Sequence, residues 1–213
     1  SKHPGVGTNG LLAELDRWTR ATFSSLPVCE ITPSITLQQV SVSFSFCLFP
    51  FQEPDLQYWV CFEKDGNLGL SWIGASDLQD ELPVNGNVRR PGLALQLSEN
   101  QVARENDSKQ IRFRSSSGLD DGRWHAVAVV YDARKGSATL YVDGGTAETC
   151  AYEKAEAVTL RNISIGHCLG KRHAQALFEE DTKFPPFQLR DVRIFARALS
   201  EQEVDQHTTD QRV

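Results

Sequence analysis

The chain of 213 residues contains no methionine, even at its first position, and so reads as an excised or processed segment of a longer protein. No apolar run approaches the ~20 residues that a membrane-spanning helix needs, so insertion into a bilayer is not expected. The opening Ser1-Lys2-His3-Pro4 is polar and lacks the apolar stretch of a secretory leader. Positive charge is also scarce: 22 Lys and Arg stand against 28 Asp and Glu, a net charge of −6. That balance argues against nucleic acid or an anionic membrane surface as the main partner. Internal repeats and low-complexity tracts are missing, which excludes solenoids and arrays. A chain of this length buries roughly 70% of its extended surface, enough for a core without metal or disulfide staples.

What is present is β pattern, centred on Leu119 to Gly144. Ala126, Ala128 and Val130 alternate with Val127, Val129 and Tyr131, and apolar character on both faces marks a strand buried within a sheet. Asp132-Ala133-Arg134-Lys135-Gly136 supplies a turn, and Ala138 to Val142 returns as the partner strand. Asp143-Gly144 ends that strand with a second turn signal.

These residues also carry a resemblance. Asp121-Gly122-Arg123-Trp124-His125, a β run, and Leu140-Tyr141-Val142-Asp143-Gly144 are similar to the core hairpin of laminin-G-like domains. Near the C-terminus, Phe187 to Val204 resembles the closing strand and short helix of the same concanavalin-A-like superfamily. The resemblance runs from about Val28 to Asp205. It implies an all-β jelly-roll sandwich of two antiparallel sheets, a fold shared by lectins, adhesion modules and glycosidases, and does not by itself name a function.

The rest of the chain is consistent with that architecture. Residues 1–27 read as a flexible lead-in and an amphipathic helix over Leu11–Phe23, and residues 28–213 as the jelly-roll domain. The helix expectation rests on Leu11, Leu12, Leu15, Trp18, Ala21 and Thr22, which fall near one helical face. Strands are expected at Ile31–Leu37, Val40–Phe49, Gln57–Glu63, Leu68–Ile73, Leu93–Leu97, Ile111–Arg114, Ala157–Ile165 and Phe187–Phe195. In the second of these, Val42, Phe44, Phe46 and Leu48 alternate with Ser41, Ser43, Ser45 and Cys47, giving one apolar face. Residues 74–92 and 166–186 form two long polar connections, candidate functional rims. Leu199 to Val204 reads as a short helix with Ser200 as its N-cap and Glu203 completing a capping box.

The five cysteines lie at positions 29, 47, 61, 150 and 168. Cys47 and Cys61 would face each other if they sat on two arms of a hairpin around Pro54, and Cys150 and Cys168 bracket another strand pair. Two disulfides would then leave Cys29 over; the alternative is five buried thiols. The tripeptides Asn106-Asp107-Ser108 and Asn162-Ile163-Ser164 match the N-glycosylation pattern and lean toward a secreted context. A cytoplasmic scaffold is the other option.

Catalysis is not expected. Glycoside hydrolysis needs two carboxylates about 5 to 10 Å apart across the scissile bond. Glu53-Pro54-Asp55 is broken by proline, and Glu179-Glu180-Asp181 sends neighbouring acids in different directions. His125 reads as a structural residue at a strand start, and His167, Cys168 and His173 fall short of a four-ligand zinc set. Calcium is the cation in question, since many laminin-G-like domains hold one at a rim, beside the strand resembling Leu93–Leu97. The family's acidic position is here replaced by Arg90-Pro91-Gly92, which leaves Asp120 and Asp121 as the metal candidates, with Asp65–Asn67 and Glu179–Asp181 as further oxygen donors. For ligand binding, Tyr58, Trp59 and Trp72 could stack against sugar faces, with Asp65, Asn67, Arg89, Arg90 and Arg112 nearby. The overall expectation is a non-catalytic binding module of a larger protein, recognising a glycan or a protein. The competing expectation is a structural jelly roll docked on neighbouring domains of the parent chain.

Overall fold

In the computed structural model, the residues described are 10–15, 19–20, 26–48, 57–62, 68–73, 92–97, 109–145, 148–151, 157–168 and 187–210. They form two antiparallel sheets. The strands are β1 (Leu11–Leu15), β2 (Thr19–Arg20), β3 (Leu26–Leu37), β4 (Gln39–Leu48), β5 (Gln57–Phe62), β6 (Leu68–Ile73) and β7 (Gly92–Leu97). They continue with β8 (Lys109–Arg112), β9 (Trp124–Asp132), β10 (Ser137–Val142), β11 (Glu148–Ala151), β12 (Val158–Cys168) and β13 (Phe187–Phe195), followed by helix α1 (Glu201–Asp210). One sheet runs β1-β13-β4-β9-β10-β11, with β2 also paired to β13; the other runs β3-β12-β5-β6-β7-β8.

The core lies between the sheets. Val42, Phe44, Phe46 and Leu48 of β4, Val127, Val129 and Tyr131 of β9, and Leu189, Val192 and Ile194 of β13 pack with Leu70, Leu93, Leu95, Ile111, Phe113, Val158 and Ile163. The period-two alternation places all the apolar β4 residues on this side. Its other face, Ser41, Ser43 and Ser45, is buried as well. Cover for the near end comes from the C-terminus: Phe195, Leu199 and Val204 close over Ala128 and Val130 of β9. Ser41 joins in directly, donating its hydroxyl to the Arg197 carbonyl at 2.8 Å and accepting the Leu199 N–H at 3.0 Å.

The capping box at Ser200 forms as expected. The Ser200 N–H donates to Glu203 Oε2 at 2.9 Å, and the Glu203 N–H donates to Ser200 Oγ at 3.4 Å. Arg197 adds two guanidinium bonds to Glu203, at 2.9 and 2.6 Å. The Arg197 hydrogen bond and the Ser200 N–H together pull the Glu203 carboxyl down to about 2. Replacing Ser200 with alanine is expected to lower stability by about 1 kcal/mol, measurable by urea denaturation; an unchanged midpoint would contradict the role of the cap.

Two expectations are corrected here. Leu11–Leu15 and Thr19–Arg20 are strands, not parts of a helix, and both extend the edge of β13. That edge carries a row of backbone donors and acceptors, and pairing satisfies them. Leu11 lies opposite Phe195 and Leu189 opposite Thr19, so Leu11–Leu15 and Thr19–Arg20 belong to the sandwich. The second correction concerns the cysteines. The β4–β5 connection is not a hairpin, because the two strands lie in different sheets. Cys47 stands opposite Trp124 and Gln188, while Cys61 stands opposite Gly69 and Ser164. Cys150 on β11 and Cys168 on β12 are likewise in different sheets. Cys47 and Cys150 are both thiols; the Cys47 S–H donates to the Gly122 carbonyl at 3.3 Å.

Candidate functional site at the Trp124 rim

Among the residues whose side-chain exposure is described, Trp124 is the one large apolar side chain that is exposed, at 39%. Its position follows from the register. Gln188, Cys47 and Trp124 form one row across β13, β4 and β9, and Arg190, Ser45 and Ala126 form the next. Directly opposed residues share a face, so all six belong to the face that turns away from the core. Adjacent strands lie about 4.8 Å apart and the two rows about 6.8 Å apart, so the backbones of Arg190 and Trp124 are separated by about 12 Å. The residues between them, Ser45 and Cys47, are small. Over this low floor the long Arg190 side chain reaches across, and its guanidinium carbon stands 4.4 Å from the Trp124 ring centroid. Such a cation–π contact contributes about 0.5–1 kcal/mol at an exposed position.

The segment before Trp124 is pinned at several points. Gly122, with φ at +80°, donates its N–H to the Leu48 carbonyl at 2.8 Å. Asp121 Oδ1 accepts the Arg123 N–H at 2.9 Å, and its Oδ2 lies 3.7 Å from Arg123 Nε. His125 is held on both sides: Nδ1 donates to Asp143 Oδ2 at 2.8 Å and Nε2 to Asp121 Oδ1 at 3.0 Å. An ionised carboxylate only accepts, so each ring nitrogen holds its carboxylate best when it carries a proton. Burial works against a charged ring, but the Asp143 and Asp121 hydrogen bonds outweigh it and raise the pKa of His125. The His125 hydrogen bond, followed by the Arg123 N–H, lowers that of Asp121.

Asp143 occupies a left-handed backbone position, φ +52°, which aspartate tolerates better than most residues. Its Oδ1 accepts the Ala126 N–H at 2.9 Å, so one carboxylate fixes the start of β9 and aims the His125 ring. The ring also packs on Phe46, with centroids 5.8 Å apart. Both ring nitrogens are engaged by carboxylates. It braces the rim.

The residues anticipated for ligand binding are placed elsewhere. Tyr58 and Trp59 lie on β5 and Trp72 on β6, in the other sheet, with Gln57 opposite Trp72 and Tyr58 opposite Ser71. The register shifts between Tyr58 and Val60, which puts Trp59 at an irregularity. Arg112 is on β8, opposite Ala94. Asp65, Asn67, Arg89 and Arg90 lie outside the described residues, as do Glu53–Asp55 and Glu179–Asp181. Of the calcium candidates, Asp121 is engaged by His125 and Arg123, and among the described residues no group of three His, Cys, Asp or Glu side chains is arranged to hold a metal ion. Trp124 was read in sequence only for its neighbour His125, and Arg190 not at all. An exposed site built on a serine stripe leaves a trace in sequence only once the β13-β4-β9 pairing is known.

A family model described as the concanavalin A-like lectin/glucanases superfamily, of the laminin G type, matches residues 58–205. The chain belongs to this superfamily. No curated protein matches the chain. Among solved structures, the binding domain of botulinum neurotoxin DC in complex with rat synaptotagmin II superposes with a TM-score of 0.57 at 12% identity, covering 95% of this chain and 52% of that one. A botulinum neurotoxin type C structure, described as entering cells through two ganglioside molecules, gives a TM-score of 0.61 at 12% identity, with 96% and 52% covered. The neurotoxin DC binding domain in complex with SialylT gives 0.57 at 13%, with 95% and 52% covered. At these identities the likeness concerns the fold, and the chain spans about half the length of these structures. The superfamily assignment agrees with the all-β jelly roll expected from the hairpin and the closing strand.

Proposed function

We propose that this domain is a non-catalytic recognition module of a larger protein, and that its ligand sits on the Trp124 rim. The carrying observation is the exposed indole held by Arg190 and bordered by the braced turn Asp120–Arg123. Recognition sites favour one rigid aromatic surface beside a few fixed polar groups, and the rim has that composition. Its histidine is tied to two carboxylates, Asp121 and Asp143, on either side. Support also comes from relatives in fold: the three neurotoxin structures described above are binding domains or receptor-dependent proteins, with synaptotagmin, ganglioside and SialylT in their descriptions. A glycan fits the rim better than docking on a neighbouring domain. Docking needs a contiguous apolar patch, and at the rim the exposed large apolar surface is the Trp124 side chain.

The test is a glycan array probed with the purified domain, paired with an assay for released reducing ends on whatever glycan is retained. Retention without release is expected. Release of reducing ends would overturn the non-catalytic reading, and failure to retain any glycan would overturn the choice of a glycan over a protein.

A further inference from the structure

We infer that His207 works as a pH-sensitive latch: a proton added to its ring lifts the C-terminal end of helix α1 off the sheet while the N-terminal end stays fixed. The helix packs on β4 and β9. His207 Nδ1 lies 3.2 Å from the Arg193 guanidinium on β13, and Val204 packs in the cluster that holds Ala128 and Val130 of β9. Ser43 of β4 is opposite both Arg193 and Ala128, so the helix bridges the strand between them.

The chemistry of the His207 contact sets the sign. A guanidinium has donors only, so a hydrogen bond here uses the Nδ1 lone pair, which a neutral imidazole keeps and an imidazolium has lost. Protonation removes the acceptor and also places a second cation 3.2 Å from Arg193. Histidine is the side chain whose ordinary charge change falls between pH 5 and 8. The surrounding groups leave the repulsion in place. From β13 the Phe195 ring stands 5.3 Å from the His207 ring, with the Arg197 guanidinium 5.7 Å above Phe195 as a further cation. In the same row β4 and β9 contribute Ser43 and Ala128, neither of which titrates. Glu14 of β1 is the register partner of Arg193 on its other side, away from β4. On the helix, Glu203 lies one turn before His207 but holds Arg197 and the Ser200 N–H, and Glu201 acts on Tyr141 at the opposite end. Asp210 and the helix C-terminus favour a cation at His207, but that attraction travels with the helix and does not hold it to the sheet.

The N-terminal end is built differently. The Arg197 hydrogen bond and the Ser200 N–H hold the Glu203 carboxyl at about 2, so this anchor stays ionised over the whole range in which a histidine titrates. Ser41 adds bonds to the Arg197 carbonyl and the Leu199 N–H. One end of the helix is therefore insensitive to pH, and the other depends on the Arg193–His207 contact. Under the bridge, the Ser43 hydroxyl is buried without a hydrogen-bond partner. An unpaired buried hydroxyl is costly and regains water when its cover lifts, which favours opening once the latch is charged.

The test follows amide hydrogen exchange of Asp205–Asp210 in the intact domain at about pH 7.5 and about pH 5.5, with rates corrected for the intrinsic effect of pH. Wild-type protection of these amides is expected to fall at least about fivefold at the lower pH, while Val127–Tyr131 at the sheet centre keep theirs. His207→Gln, whose side-chain oxygen accepts from Arg193 at either pH, should show no such difference. The midpoint of the wild-type fall should coincide with the titration of the His207 ring followed by NMR. Equal wild-type protection at the two pH values would overturn the latch. So would a fall that persists in His207→Gln, or midpoints more than about one pH unit apart.

Discussion

Replacing Phe46 with alanine is expected to lower the stability of the domain by about 3–5 kcal/mol, the usual cost of emptying a fully buried aromatic site. Phe46 has no exposed surface and packs between Phe44, 6.1 Å away, and His125, 5.8 Å away. It sits on β4 between β13 and β9, opposite Leu189 and His125. Neither sheet can collapse into the cavity without breaking a ladder, so relaxation recovers little of the loss. For a domain of this size each kcal/mol corresponds to about 2–4 °C in Tm, and calorimetry should show a drop of about 10 °C. Phe46 also supports the turn before β9 from the core side, because the His125 ring rests on it. A double-mutant cycle with His125→Asn should therefore show non-additivity above about 0.5 kcal/mol. A loss below about 1 kcal/mol for Phe46→Ala would contradict the packing described.

The second large effect is pH dependence. His125 has a raised pKa in the folded state, so its stabilisation is complete below its ordinary value of about 6.5 and is lost as pH rises through the raised value. Asp121 has a lowered pKa, so its contribution is present above about 4 and is lost as pH falls through the lowered value. The ion pair is fully effective between those limits. Neutral His125 can donate to only one of its two carboxylates, and the turn then loses an anchor. Between pH 6 and pH 8 the wild-type Tm is expected to fall by at least a few degrees relative to His125→Asn. The comparison is kept below pH 8 because Cys47 and Cys150 titrate above it. Burial first, and then Asp121 and Glu148 respectively, hold both thiols above their ordinary range. A constant difference between the two proteins from pH 6 to pH 8 would rule out the imidazolium brace.

Much of the fold was legible because local pattern and tertiary environment agree. The Val–Phe–Phe–Leu alternation of β4, the Asp132–Gly136 turn and the Ser200–Glu203 capping box each point to the element that forms. The N-terminal segment was misread because Leu11, Leu15 and Trp18 have helical spacing, and nothing local shows that the β13 edge is open to receive Leu11–Leu15. Edge pairing outweighs a helix propensity worth tenths of a kcal/mol per residue. The short strand β11 (Glu148–Ala151) carries too few residues to show a period. The hairpin expected around Pro54 does not form for a topological reason: β4 and β5 are adjacent in sequence but lie in different sheets, so Cys47 and Cys61 are not cross-strand partners. The candidate site was hidden in the same way. Trp124 and Arg190 are 66 positions apart in sequence and meet only because β4 lies between their strands with serine and cysteine beneath them. Sequence reading favoured the tryptophans of β5 and β6, where aromatic residues cluster along the chain, over one that becomes paired in space.

The most direct test of the central claim is a backbone amide chemical-shift map of the domain with the tightest-binding glycan from the array. The account predicts that the largest shifts fall on Gly118–Ala126, Ser45–Cys47 and Gln188–Asp191, the residues around the Trp124–Arg190 pair. Shifts concentrated instead on β5 and β6, around Tyr58 and Trp72, would contradict it and move the ligand surface to the opposite sheet.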